Sequence, residues 1–226
     1  RQAFEESLHN LTVVYVCDSL DLDIEEVFAA YETVPSIKAK DDFLMQITND
    51  ISAQDFNPNT KHGKQEILRN FLTYWVVCEG TFFFSGFAML LALGRQNKLQ
   101  GISDQIKYTL RDESSHIAFG IYIINTIIEQ EPSIWTKKIQ EEFTEHIKKA
   151  VELEIAYAHD VLPTGILGLN ADMFVDYMHY IGNRRLEAIG LEYRFPSDHN
   201  PFPWLGEVVD VQAMGNFFER RVREYQ

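Results

Sequence analysis

One apolar stretch decides the fold of this chain: Phe71-Leu-Thr-Tyr-Trp-Val-Val-Cys-Glu-Gly-Thr-Phe-Phe-Phe-Ser-Gly-Phe-Ala-Met-Leu-Leu-Ala-Leu93. It is apolar on nearly every face, which is typical of a helix buried inside a bundle. We predict a long helix around it, over residues 64–96. Its single charged residue is Glu79. An isolated buried carboxylate is costly, so Glu79 must be neutral, paired with a basic residue or bound to a metal ion.

The rest of the chain also has helical periodicity. Apolar residues recur every three to four positions, no alternating segment of any length occurs, and residues 57–63 form a polar loop rich in helix breakers. The sequence therefore predicts an all-α bundle. The further predicted helices cover residues 1–20, 22–31, 35–54, 102–129, 132–160 and 171–191.

Composition limits the class of protein. The 226 residues, of which 46% are hydrophobic, suffice for one core, so we expect a single domain over residues 1–226. The net charge of -14 argues against a nucleic-acid binder. Two cysteines, the lack of a basic apolar leader and the lack of an apolar run of about 20 residues predict a cytoplasmic protein outside the membrane.

Two Glu-x-x-His pairs carry the predicted chemistry. Glu6-Ser-Leu-His9 lies on the first helix and Glu113-Ser-Ser-His116 on the fifth, and each pair places a carboxylate and an imidazole one turn apart on one face. Either pair alone could belong to a solvated face. In four-helix carboxylate proteins, however, two helices each give such a pair and the other two give single carboxylates. With Glu79, three of these four helices are visible.

The motifs of the chain resemble one family in order along nearly its full length. These motifs are Arg1-Gln-Ala-Phe-Glu-Glu6, Lys38-Ala-Lys-Asp-Asp-Phe43, Glu79-Gly80, Ser85-Gly-Phe87, Arg95-Gln-Asn-Lys98, Arg111-Asp-Glu-Ser-Ser-His116, Gly165-Ile-Leu-Gly-Leu169, Arg184-Arg-Leu-Glu187, Asn200-Pro-Phe-Pro-Trp204 and Asn216-Phe-Phe-Glu219. With them the chain resembles class I ribonucleotide reductase small subunits, which implies a ferritin-like helical bundle with a di-metal carboxylate site.

The resemblance also implies the roles of individual residues. It implies that two metal ions are bound by Glu6, His9, Glu79, Glu113 and His116. It further implies that Asp112 orients His9 from behind, as outer partners of metal ligands do. Tyr108, just over one helical turn before Glu113, is a candidate redox relay, with a structural role as the alternative.

One position departs from the tyrosyl-radical members of the family. Their radical tyrosine follows the first ligand histidine by four residues, where this chain has Val13. Tyr15 lies about 200° further around the helix and cannot replace it. The chain therefore resembles the tyrosine-less subgroups, in which the metals store the oxidising equivalent. We expect manganese with iron, or two manganese ions, rather than two irons, although the ligand types do not separate these pairs.

The resemblance sets further expectations about the whole protein. The remaining carboxylate ligand, a tryptophan of the radical path and their helices would lie before Arg1, and a docking tail would follow Gln226, so we expect the domain to be incomplete at both ends. A homodimer that works with the large catalytic subunit in making deoxyribonucleotides is implied.

Two other functions remain open from the sequence. One is a ligand-binding manganese and iron oxidase of the same superfamily, which shares the ligand set. The other is a ferritin-type protein that merely holds or oxidises metal. The five other histidines are expected not to bind metal: His62, His146, His159, His179 and His199.

Overall fold

The computed structural model describes residues 1–166 and 168–206, and this part of the chain is built from helices, with no β-strand. An isolated bridge joins Ile166 and Leu169. The α-helices are α1 (Gln2–Ser19), α2 (Ile24–Phe28), α3 (Ala30–Thr33), α4 (Pro35–Ile47), α5 (Lys61–Phe71), α6 (Phe84–Arg95), α7 (Gln100–Gln130), α8 (Lys137–Val161) and α9 (Ala171–Ala188). A π-helical segment, Leu72–Phe82, joins α5 to α6, and single 3-10 turns cover Pro132–Ile134 and Pro203–Leu205.

The helical run from α5 through the π segment to α6 is the centre of the bundle. Leu72, Val76 and Val77 are completely buried within it. The run is also long and apolar enough to cross a membrane, since an 18-residue window has a mean hydropathy of 1.8. The sequence prediction had missed such a window. Because 72% of this window is buried inside the protein, it fits a core helix and is only weak evidence for a membrane-spanning helix.

Three helices, α7, α8 and α9, pack around this run. The buried face of α8 repeats at helical spacing through Ile139, Phe143, Ile147 and Ala150, and it packs against the π segment and α9. Helix α7 lies against α6 and the π segment, and α1 lies against α7 on the outside. Three elements therefore meet where α1, the π segment and α7 come together.

The helix boundaries differ from the sequence prediction where side chains cap the backbone. The helix predicted to reach Gln54 ends at Ile47, because Asn49 exchanges two hydrogen bonds, of 2.9 and 2.8 Å, with the side chain of Asn70. The helix predicted to begin at Pro132 begins instead at Lys137. There the hydroxyl of Thr136 accepts from the backbone N–H of Ile139, and Pro132 opens only a 3-10 turn.

Two parts of the helical structure differ from the sequence prediction in kind. The helix predicted over residues 22–31 is two short helices, α2 and α3, and the first is capped by Asp23, whose carboxylate accepts from the N–H of Glu25 at 2.9 Å. The π segment was not predicted at all. The motif Asn216-Phe-Phe-Glu219 lies outside the described residues.

Candidate metal centre

The two Glu-x-x-His pairs face each other across the contact between α1 and α7. Within each pair the two side chains are one helical turn apart, so both point toward the same side of their helix. Glu113 and His116 are buried, with 2% and 4% of their surface exposed. The His9 and His116 ring centroids are 5.9 Å apart.

Each of the two glutamates faces both histidines. Glu6 places Oε2 at 3.3 Å from Nδ1 of His9 and Oε1 at 3.3 Å from Nδ1 of His116. Glu113 places Oε1 at 3.1 Å from Nδ1 of His9 and Oε2 at 3.5 Å from Nδ1 of His116. Two carboxylates that each offer one oxygen to either side have the arrangement needed to bridge two cations.

Glu79 joins this group from the π segment. One donor atom from each of Glu6, Glu79, Glu113 and His116 lies within 4.8 Å of the others, close enough to surround one ion. His9 lies on the opposite side, where it faces Glu6 and Glu113. In the described residues, these three side chains form a second set of donors. The structure thus brings together all five predicted ligands.

The hydrogen bonding of these residues tests whether they fit a metal pair. Of the nine buried side-chain atoms without a hydrogen-bond partner in the described residues, five belong to the predicted ligands, one to each: Glu6 Oε1, His9 Nδ1, Glu79 Oε2, Glu113 Oε2 and His116 Nδ1. Buried polar atoms in proteins are normally paired, so a group of five demands an explanation. Carboxylate oxygens and imidazole nitrogens suit iron and manganese, and the donor set fits both.

Two of the predicted ligands, His9 and Glu79, have raised pKa values. The Glu113 carboxylate, 3.1 Å from Nδ1, raises the pKa of His9 to about 9, with help from Asp112 and against the effect of burial. Burial raises the pKa of Glu79 to about 7, although Tyr74 acts in the opposite direction. Metal binding would displace protons from these two groups.

Outer side chains hold the two histidines by their other nitrogens. Nε2 of His9 lies 3.2 Å from a carboxylate oxygen of Asp112, and Nε2 of His116 lies 3.1 Å from Oε2 of Glu5. Glu5 is itself bound by Arg1 at 2.9 Å. Burial raises the pKa of Glu5, but the hydrogen bonds with Arg1 and His116 outweigh it and lower the pKa below its usual value.

Sequence reasoning missed Glu5 and Gln2. The amide of Gln2 donates to Oε1 of Glu79 at 2.7 Å and accepts from the indole N–H of Trp75 at 3.4 Å. The available signal was spacing, because Gln2 lies four residues before Glu6 on the same helical face. For Glu5, only the need of His116 for a second partner could have indicated the contact.

The other predicted site residues lie around the edge of the centre. Tyr108 is 59% exposed, stacks against the guanidinium of Arg111 and lines a cavity of about 350 Å³ together with His9 and Asp112. Val13 is 45% exposed on α1. Among the four phenylalanines that flank Glu79 in sequence, Phe82, Phe84 and Phe87 are buried, whereas Phe83 is 40% exposed.

The remaining histidines lie apart from this centre. His146 packs edge-on against Phe43 and Phe143, and His179 stacks on Phe195. His62 is exposed and lies 3.6 Å from Glu66.

Comparison with known proteins identifies the family. The model of the family "Ribonucleotide reductase, small chain" matches residues 1–201. The chain belongs to the ribonucleotide reductase small-chain family. It is 51% identical over 226 residues to the ribonucleoside-diphosphate reductase subunit beta of Chlamydia pneumoniae, covering all of this chain and 65% of that protein. Identity to the Treponema pallidum subunit beta is 28%, over 99% of this chain and 63% of the relative.

A solved member of the family has the same helical arrangement. The ribonucleotide reductase R2 subunit from Clostridium botulinum superimposes with a TM-score of 0.80 at 28% identity, covering 92% of this chain and 64% of that one. The predicted ferritin-like bundle is thereby confirmed. This chain spans slightly under two thirds of the length of its small-chain relatives.

Proposed function

We propose that the chain holds a pair of metal ions in the radical-generating beta subunit of a ribonucleoside-diphosphate reductase. The observation that carries the proposal is the group of five unpaired buried atoms, one from each of Glu6, His9, Glu79, Glu113 and His116. Glu6 and Glu113 would bridge the ions, His9 would complete one side, and Glu79 with His116 would complete the other. In such subunits the bound metals supply the oxidising equivalent that removes an electron from a cysteine of the large subunit.

The residues of the chain prepare the site for that chemistry. Asp112 and Glu5 accept from His9 and His116, which leaves the Nδ1 atom of each ring free to face a cation. The buried rings of Phe82, Phe84 and Phe87 keep water from the neighbouring π segment. Tyr108 lies on the side of His9 and Asp112, where it could relay an electron from the surface.

We further propose that the oxidising equivalent stays on the metals. Val13 stands where a radical tyrosine would follow His9, and an aliphatic side chain cannot be oxidised to a phenoxyl radical. Manganese with iron, or two manganese ions, is the pair we favour. The full-length protein would act in the cytoplasm, as a homodimer and with a large catalytic subunit, and without nucleic acid or membrane.

Removing one bridging carboxylate tests the centre. In the full-length protein, Glu113→Ala should weaken metal binding by more than about 100-fold, because even outer partners of a metal ligand contribute about 10- to 100-fold. Deoxyribonucleotide formation with the large subunit, manganese, iron and oxygen should be lost as well. Glu129→Ala, which removes an exposed carboxylate from the same helix, is the matched control and should behave like the unaltered protein.

Three outcomes would contradict parts of this proposal. Undiminished product formation by Glu113→Ala would refute the bridging role. Two metals bound but no product with any large subunit, together with a fatty acid in the purified protein, would point to the ligand-binding oxidase. A tyrosyl-radical signal in electron paramagnetic resonance would contradict storage on the metals.

A further inference from the structure

The π segment that carries Glu79 is contacted at its carboxyl end by two largely buried cations from outside the metal centre. They are Lys40 on α4 and Arg185 on α9, helices that contribute none of the predicted ligands. Arg185 donates to the backbone carbonyl of Gly80, directly after Glu79, and Lys40 donates to that of Phe82, three residues after it. π-helical turns are rare and occur frequently at functional sites, so what holds this one in place bears on the site.

Arg185 contacts the residue that directly follows Glu79. Its Nε donates to the carbonyl of Gly80 at 2.6 Å, and its guanidinium lies over the ring of Phe84, 4.9 Å from the centroid. Burial lowers the pKa of Arg185 to about 10, so the group is still protonated at neutral pH. Within residues 1–166 and 168–206 it has no carboxylate partner. The buried charge is therefore directed at the backbone of the π segment.

Glycine at position 80 makes this close approach possible. A Cβ there would lie 3.0 Å from Nε of Arg185 and 2.7 Å from the carbonyl oxygen of Trp75. Real side chains essentially never come that close to backbone. Glu79 is thus followed by a glycine at a position where a side chain would clash with the Trp75 carbonyl and crowd the guanidinium of Arg185.

Lys40 contacts the last residue of the π segment. Its Nζ donates to the carbonyl of Phe82 at 2.9 Å and forms an ion pair with Glu154, which is completely buried on α8. Glu154 in turn accepts from the backbone N–H of Ser85 at 3.3 Å. Lys40 and Glu154 thus hold both sides of the junction at Phe83, where the π segment ends and α6 begins.

The two contacts match the electrostatics and geometry of the segment. Backbone carbonyl oxygens carry a partial negative charge, so they stabilise buried cations that donate to them, as Arg185 and Lys40 do here. If the π segment rewound as a regular α-helix, the side chains on one side of it would rotate around the helix axis. The rotation would be about 100° for each residue by which the register changes. Such a shift would turn the carboxylate of Glu79 away from Glu6, Glu113 and His116.

We propose that Lys40 and Arg185 are positioning residues, which hold the π segment in the register that directs Glu79 into the metal centre. This inference rests on the proposed metal-binding function. Neither residue contacts a predicted ligand side chain or substrate, and each acts through the backbone at Gly80 or Phe82. Loss of either contact should affect the ion bound by Glu79 and His116 more than the ion bound by His9.

The test compares Lys40→Met and Arg185→Met with Arg69→Met in the full-length protein. Arg69 is a matched control, because its side chain is 15% exposed, like that of Lys40, and it also pairs with glutamates, on α5 and α8. It lies on α5, before the π segment begins. In metal-free protein, hydrogen–deuterium exchange of peptides covering residues 72–84 should be faster in the two test variants than in the control. Manganese titrations should show about 10- to 100-fold weaker binding at one of the two sites.

Several outcomes would overturn the proposal. It fails if exchange over residues 72–84 and both manganese affinities match the control, or if exchange rises throughout the protein and both sites weaken equally. If unaltered protein binds no metal pair when loaded with manganese alone or with manganese and iron, the proposed function fails, while exchange in the metal-free protein still decides the positioning role. Should the methionine variants not fold, Lys40→Arg and Arg185→Lys, which keep the charge but move the donor atom, must show smaller changes in the same direction.

Discussion

At the scale of single residues, the centre is defined by which atoms have partners. Nε2 of His9 and of His116 is engaged by a carboxylate, and the Nδ1 atoms point to the middle. Their three-residue spacing predicts that the carboxylate and the imidazole of each Glu-x-x-His pair share a helical face, and the family resemblance implied that both pairs, with Glu79, are ligands. Glu5 and Gln2 could not be predicted, since their contacts depend on how α1 meets α7 and the π segment.

His146 provides a residue-scale prediction about pH. Burial against Phe43 and Phe143 lowers its pKa, while Glu142 raises it and Arg69 lowers it further. The unfolded chain therefore binds a proton more readily, and folding stability should fall as pH drops below about 6.5. In metal-free protein, His146→Gln should lose less stability than the unaltered chain over that range, by at most about 1.4 kcal/mol per pH unit.

Urea unfolding at a series of pH values measures this difference. Acidic groups that titrate in the same range are present in both proteins and cancel in the comparison. His62→Gln, at an exposed position, should follow the unaltered protein. Identical pH profiles for His146→Gln and the unaltered protein would show that His146 is not the group responsible.

At the scale of elements, the sequence predicted most helices and missed their irregular parts. A run of apolar residues identifies a buried helix but carries no signal for a π turn, because the apolar character is nearly uniform around the axis. The ends near Gln54 and Pro132 were misplaced for a related reason. Asn70 and Thr136 set the true boundaries through hydrogen bonds that periodicity does not report.

Two glycines on α6 give a prediction at this scale. A Cβ on Gly94 would lie 2.4 Å from Cβ of Ser103 on α7, whereas a Cβ on Gly86 would have nothing within 4 Å. Gly94→Ala should therefore destabilise the protein by roughly 1–3 kcal/mol through overpacking. Gly86→Ala should stabilise it by up to about 1 kcal/mol, because alanine favours the helix. Equal shifts of the urea midpoint in both variants would contradict the close approach of α6 and α7.

At the scale of the whole molecule, the centre connects elements that are distant in sequence. The donors come from α1, the π segment and α7, so a bound metal pair would link three parts of the bundle. Local spacing could predict each pair of donors but not the meeting of the three. The family resemblance supplied that arrangement, and the structure shows the atoms converging.

Metal removal should accordingly lower thermal stability. Ions that bind only the folded chain, at 100 times their dissociation constant, add about 2.7 kcal/mol per site. For a chain of this size, the loss of each bound ion should lower Tm by roughly 5–10 °C. Calorimetry of the metal-loaded protein before and after chelation measures the shift. Glu113→Ala should show almost none, and an unchanged Tm in the chelated native protein would argue against a structural contribution from the metals.

The placement of the donors also imposes an order on biosynthesis. Glu6 and His9 leave the ribosome about a hundred residues before Glu113 and His116, a delay of roughly 5–20 s at ordinary elongation rates. During that interval the nascent chain offers at most two of the donor carboxylates, those of Glu6 and Glu79, and one imidazole, too few to retain a pair of cations against the cell's other chelators. If these residues hold the proposed metal pair, capture follows docking of α7, and the supply of metal ions acts on the folded bundle and not on the growing chain.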